Sequence, residues 1–145
     1  MKMENKNVNE MDIIELTREV GKKLQKEDIY LKFQLAKQAA DEDTELQKMI
    51  NEFGLKREEI SEETSKNENE QDSERIQKLN REMRKVYAKI MTNERMINYN
   101  DTKDEFDVLM KRITTIIQES SEGENPETAD YIPCTGSCAT CGGCG

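Results

Sequence analysis

All four cysteines of this 145-residue chain stand in its last dozen residues, at Cys134, Cys138, Cys141 and Cys144, and the chain has no histidine. Their spacing is C-x3-C-x2-C-x2-C, with only glycine, serine, threonine and alanine between them. Small residues let the backbone wrap tightly, so the four thiols can converge on one centre. Thiolates at that density are the donor set of a soft metal or an iron–sulfur cluster.

The spacing ranks the candidates. Cys138, Cys141 and Cys144 reproduce the C-x2-C-x2-C turn that ferredoxin-type runs place on three corners of a cubane. A [4Fe-4S] cluster therefore comes first, held by all four thiolates or by three with the last ligand supplied by a partner subunit. Structural zinc is the alternative. Zinc ribbons, however, use two separated C-x2-C pairs, whereas here the ligands crowd into one short run. A third reading makes the tail a disordered end that binds metal adventitiously. Cys134, Cys138 and Cys141 also spell the C-x3-C-x2-C of radical enzymes that bind S-adenosylmethionine, but that motif needs a strand-to-helix loop and the chain offers no strands. Two disulfides would close loops of two or three residues in a reducing compartment, and metal ligation is the better use of the thiols.

No other group in the chain points to catalysis. Without histidine, and with no base placed beside a serine or threonine, neither a hydrolytic triad nor a histidine acid–base pair can form, and the expectation is a protein that is not an enzyme. The acid pairs Glu58-Glu59 and Glu62-Glu63 read as a solvated helix face. Lys78, Arg81, Arg84, Lys85 and Lys89 read as a modest basic face that is solvated or turned to a partner. Tyr30, Phe33 and Phe53 read as core or interface.

The elements that must carry the thiol segment are helices. Hydrophobic residues are 34% of the chain, aromatic residues 5% and charged residues 37%, with a formal net charge of −9. Such a composition supports a thin core and disfavours direct contact with nucleic acid or anionic lipid. No apolar run reaches the roughly 18 residues that a membrane span needs. Met1-Lys2-Met3-Glu4-Asn5 leads into polar sequence rather than a signal-peptide core, so a cytoplasmic chain without membrane insertion is expected.

Both prolines, Pro126 and Pro133, lie near the end, and apolar residues recur at helical intervals before them. A first helix is predicted from Met11 to Gln25, with Ile13, Leu16, Val20 and Leu24 on one face and Asp12 at its start. A second, from Glu27 to Ala40, aligns Ile29, Phe33, Ala36 and Ala40. Asp41 or Asp43 is a candidate cap before a stripe of Leu46, Met49, Ile50, Phe53 and Ile60, with a break and a continuous helix both open. Residues 61–73 hold no apolar side chain and read as a linker or an exposed helix tip. Asp72 or Ser73 then caps a helix whose Ile76, Leu79, Met83, Val86 and Ile90 form a lengthwise seam. Thr92 or Asn93 caps the next, whose stripe of Phe106, Leu109, Ile113 and Ile116 or Ile117 fades by Ser121. The polar segment that follows reads as an extended tether.

The expected fold is thus all-α, an elongated antiparallel helical hairpin or bundle over residues 1–121. A flexible acidic tether and a disordered cysteine-rich tail make up residues 122–145. Narrow stripes on so hydrophilic a chain also imply self-association or a partner helix.

The run DIIELTREVGKKLQKEDIYLKFQLAKQAADEDTELQKMINEF, with ERIQKLNREMRKVYAKIM and FDVLMKRITTII after a charged gap, resembles the YlbF/YmcA family of small helical regulators. The cysteine tail is similar to the tails of those members that assemble with a third protein, YaaT, and carry [4Fe-4S] clusters. The resemblance implies a non-enzymatic regulatory subunit that oligomerises and joins YmcA/YlbF-like and YaaT-like subunits. It also implies a link to ribonuclease Y, to messenger RNA processing, and through these to competence, biofilm formation and sporulation. Cys134, Cys138, Cys141 and Cys144 are the positions that match the family's cluster ligands. The alternatives from other classes are a small redox or cluster-transfer protein, and a zinc-stabilised helical adaptor.

Overall fold

A computed structural model describes residues 6–133. Among them there is no strand, and the order is a single 3-10 turn (Val8–Glu10), α1 (Ile13–Leu24), α2 (Asp28–Glu42), α3 (Thr44–Thr64), α4 (Ser73–Thr92) and α5 (Glu94–Ser121). The all-helical expectation holds. The described residues group into two compact units whose boundary falls inside α5, one up to Thr102 and one from Lys103.

Short polar side chains start α1, α3, α4 and α5, whereas α2 begins after Glu27 without a side-chain cap. Asp12 accepts the Glu15 N–H at 2.8 Å, Asp43 that of Leu46 at 3.1 Å, and Asp72 that of Arg75 at 3.1 Å. Asn93 accepts from the Arg95 and Met96 N–H groups at 2.9 and 3.1 Å. Each cap satisfies backbone donors that a helix's first turn leaves without partners. The question left open in the sequence is answered at Asp43: the backbone turns extended there, with ψ of 100°, and α2 and α3 are separate helices. Gln47 bridges the break by donating its side-chain N–H to the Ala40 carbonyl at 3.0 Å.

In the first unit, α3 and α4 pair antiparallel, as cross-helix contacts at three levels show. Near the α2–α3 break the Asn93 amide donates to Asp43 at 3.3 Å. Midway, the Phe53 and Tyr87 rings lie 5.9 Å apart and Lys56 donates to Glu82 at 2.8 Å. At the far tip, Arg75 reaches Glu63 at 3.2 Å. The ion pairs between the two helices, Lys56–Glu82, Arg75–Glu59 and Arg75–Glu63, span this seam from its middle to its tip. The Lys56 ammonium and the Glu82 carboxylate hold each other charged. Their hydrogen bond raises the lysine's pKa and lowers the glutamate's, against the opposing pull of desolvation on each.

The core is small, as the composition requires. Ala40, Leu46, Val86 and Ile90 are buried together, with Met49, Ile50, Phe53, Met96 and Tyr99 packed around them. Phe33 on α2 meets Tyr99 on α5 at a ring separation of 5.6 Å. This cluster forms where α2 gives way to α3 and α4 to α5. By contrast α1 buries none of its residues, and its Ile13 and Ile14 are 71% and 58% exposed.

One sequence expectation changes. Residues 61–73 are not free of burial: α3 continues to Thr64, and Glu63, read from the sequence as part of a solvated face, is 2% exposed. Its carboxylate accepts from the Asp72 backbone N–H at 2.8 Å, from Lys66 at 2.9 Å and from Arg75 at 3.2 Å. Gln71 closes the same turn by donating to the Thr64 and Lys66 carbonyls at 3.1 and 2.8 Å. No apolar side chain marks this tip, which is closed by one ion and its donors. The last helix, by contrast, starts at its expected Asn93 cap and runs unbroken through the polar stretch 98–101.

Two predictions follow from this packing. Leu46 is fully buried, so Leu46→Ala removes a core side chain at the paired helix breaks and should cost about 2–5 kcal/mol in urea unfolding. An unchanged urea midpoint would place the stabilising core elsewhere. The hydrogen bond from the Asp72 N–H, then that from Lys66, holds the Glu63 carboxyl below its ordinary value of 4.5, despite an opposing effect of burial. Because the folded state favours the ionised form, its contribution is complete above that ordinary value and is lost as pH falls through the lower folded value. Glu63→Gln should therefore lower the urea midpoint at neutral pH, and its gap from the native protein should narrow on acidification. A gap independent of pH would show that the ionised carboxylate is not what closes the tip.

Candidate thiolate site and its attachment to the last helix

The four cysteines that carry the metal-site expectation lie outside the described residues. Among the described residues no three or more of His, Cys, Asp and Glu come together in a way that could hold a metal ion. The donor set itself fits the expected groups by its chemistry: four sulfur ligands without imidazole or carboxylate suit a [4Fe-4S] cluster or tetrahedral zinc.

What the structure adds is the seating of the chain just before Cys134. The expectation of an extended tether after α5 fails for the described part of that segment. Gly123 adopts a φ of 92°, in the left-handed region open to glycine, and ends α5. Its N–H bonds to the Ser120 carbonyl at 3.2 Å and the Glu124 N–H to the Glu119 carbonyl at 3.0 Å, the paired bonds of a Schellman cap. A second turn follows, with the Thr128 and Ala129 N–H groups both bonded to the Asn125 carbonyl at 3.1 Å.

These two turns send the chain back along α5. Ala129 is buried, 8% exposed. The Arg112 guanidinium donates from Nε and from an Nη to the two oxygens of Asp130, each at 2.9 Å, in a bidentate fork. The Lys111 ammonium lies 5.3 Å from the centroid of the Tyr131 ring, within cation–π range. The fork lowers the Asp130 pKa and raises that of Arg112, in each case through the side-chain hydrogen bond first. Arg112 sits nine positions before the end of α5, about 13 Å along the helix at 1.5 Å per residue.

Arg112, Asp130 and Tyr131 were not singled out from the sequence. The signals that could have found this fold-back are Gly123 directly after a helical run and the turn-forming Asn125-Pro126 pair. The acidic composition of the segment outweighed them and gave the tether reading. Of the other residues weighed, Phe33 and Phe53 pack against aromatic rings as expected. Lys78, Arg81, Arg84, Lys85 and Lys89 are exposed along α4, with Lys78 3.9 Å from Glu82.

No helix among the described residues is long and apolar enough to cross a membrane. No curated protein and no solved structure matches the chain at a significant level. The family model described as control of competence regulator ComK, YlbF/YmcA, matches residues 13–120, which takes in all five helices short of the last residue of α5. The chain therefore belongs to the YlbF/YmcA family of competence-control regulators.

Proposed function

We propose that this protein is a non-catalytic regulatory subunit of a heteromeric complex, and that Cys134, Cys138, Cys141 and Cys144 bind a [4Fe-4S] cluster within it. The observation that carries the reading is the convergence of every thiol of the chain on eleven consecutive residues in a member of a regulatory family. The absence of histidine throughout the chain, and of any metal-binding cluster among the described residues, supports confining the metal chemistry to that segment.

Exposed apolar side chains support a role in assembly. Beside those of α1, Leu31 and Leu35 of α2 are 47% and 67% exposed and line one shallow groove with Gln34 and Gln38. Ile117 of α5 is 64% exposed. Apolar surface of this extent on so hydrophilic a chain suits self-association and contact with YmcA/YlbF-like and YaaT-like subunits, the partners the family resemblance implies. On the same basis the complex would act on ribonuclease Y-dependent processing of messenger RNA, and through it on competence, biofilm formation and sporulation. A thiolate-bound cluster orders the peptide that ligates it, so loss of iron or exposure to oxygen would weaken assembly.

The test is purification without oxygen, of the chain alone and co-expressed with its candidate partners, followed by absorption spectroscopy and iron, sulfide and zinc assays. A brown protein with a broad visible band and equal iron and sulfide is the expected result, and changing the four cysteines to serine should abolish it. A band that appears only with a partner would place one ligand on that partner. A colourless protein holding one zinc per chain would replace the cluster with a structural metal knot.

A further inference from the structure

Helix α4 is basic in a chain that is not. It carries six of the 22 lysine and arginine residues and two of the 31 acids, so the rest of the chain is more acidic than the net charge of −9 conveys. Lys78, Arg81, Lys85 and Lys89 are all exposed and follow one another at intervals of three, four and four residues. That spacing keeps them in single file on one face, over about 16 Å at 1.5 Å per residue. Leu79, Val86 and Ile90 are buried, and each stands one position on from a lysine of the file, about 100° round the helix. The file is therefore turned away from the seam that α4 makes with α3.

Little among the described residues neutralises these cations. Glu82, beside the file, is engaged from α3 by Lys56 at 2.8 Å and stands 3.9 Å from Lys78. Arg81, Lys85 and Lys89 make no ion pair among the described residues. Arg81 with Lys85, and Lys85 with Lys89, are like charges four residues apart, an arrangement that costs helix stability. Carboxylates brought from outside the chain would remove that cost. We infer that this face of α4 is a docking surface for an acidic helix of a partner protein, whose carboxylates recur every three or four residues and meet the four cations in turn. The steps along the file, about 4.5 and 6 Å, equal the rise between such carboxylates on a helix laid lengthwise against α4. Nucleic acid fits less well, because a polyanion longer than the file would run on to surface where acids outnumber bases. The file also lacks an aromatic ring on which a base could stack, since Tyr87 lies half a turn round from Lys78. Complementary charge of this kind sets the choice of partner and its register more than raw affinity. The inference rests on the reading of the chain as a subunit of a complex and names the chemistry of one partner surface; the cysteines take no part in it.

The test is an amide-shift titration of the isotope-labelled full-length chain at low salt. The probes are an alanine-based helical peptide with glutamates three and four residues apart on one face, the same peptide with glutamine or with lysine in their place, and a single-stranded RNA oligonucleotide. The glutamate peptide should shift amides from Lys78 to Lys89, bind about tenfold tighter than the glutamine peptide and RNA, and lose that margin as salt is raised. The double change Arg81→Glu with Lys85→Glu should abolish binding of the glutamate peptide and create binding of the lysine peptide on the same face. Both positions are exposed, and a variant that merely failed to fold would lose the first without gaining the second.

Shifts scattered over basic residues outside α4, or none at all, would overturn the docking surface. So would RNA that shifts the α4 amides at lower concentration than the glutamate peptide, or a double variant that keeps the native preference. Each of these leaves the subunit reading standing, because co-purification with the candidate partners decides that reading independently.

Discussion

The first unit depends on one contact between two helix caps. Asp43 starts α3 and Asn93 starts α5, and the Asn93 amide donates to the Asp43 carboxylate at 3.3 Å. Both residues bend the chain in the same way. Each has an extended ψ, 100° and 129°, and each N–H bonds to the carbonyl three residues earlier, that of Ala40 or Ile90. The local pattern is shared as well: a buried residue three positions before the cap and an apolar one three positions after, Ala40 and Leu46 at one break, Ile90 and Met96 at the other. Four residues of the core cluster are thereby supplied by two breaks rather than by a long uninterrupted seam. The Asp43 carboxyl is held below its ordinary range first by the Leu46 N–H and next by the Asn93 amide, so the junction favours an ionised cap between two helix starts.

At the opposite end of the α3–α4 pair the same problem is solved by charge. A buried carboxylate is costly unless its oxygens find donors, and removing one partner of such a group costs more than the pair contributes. Glu63 has three donors, and one of them is the backbone N–H of Asp72, which is itself the cap of α4. The helix start and the end of the preceding helix are therefore tied to a single side chain. Between the two ends, few apolar residues suffice because register is set twice, once by Asp43–Asn93 and once by Glu63.

Much of this was legible in the sequence, and the parts that were not share a cause. The stripes of α1, α3 and α4 follow from apolar spacing, and Asp43, Asp72 and Asn93 were each among the candidate caps, because a short acceptor before an apolar run has a specific local use; Asp12 was placed at its helix start for its charge alone. The choice between Asp41 and Asp43 depends on the partner Asn93, fifty residues away, and no local pattern contains it. Glu63 and Asp130 were misplaced for a related reason. Both lie in stretches whose composition favours solvent, and each is drawn into structure by particular donors, Arg75 and Arg112, that composition does not count. The cysteines stand apart from that comparison, because they lie outside the described residues.

The uneven distribution of burial bears on how such a chain works. An isolated helix of twelve residues is marginal in water, and α1 has an amphipathic pattern with no buried residue to hold it. Its apolar face, and those of Leu31, Leu35 and Ile117, would gain most from contact with another surface. The α3–α4 pair, in contrast, has its register closed at both ends by side chains of the chain itself. Burial is thus concentrated in the α3–α4 frame, while α1, the outer face of α2 and α5 carry exposed apolar side chains.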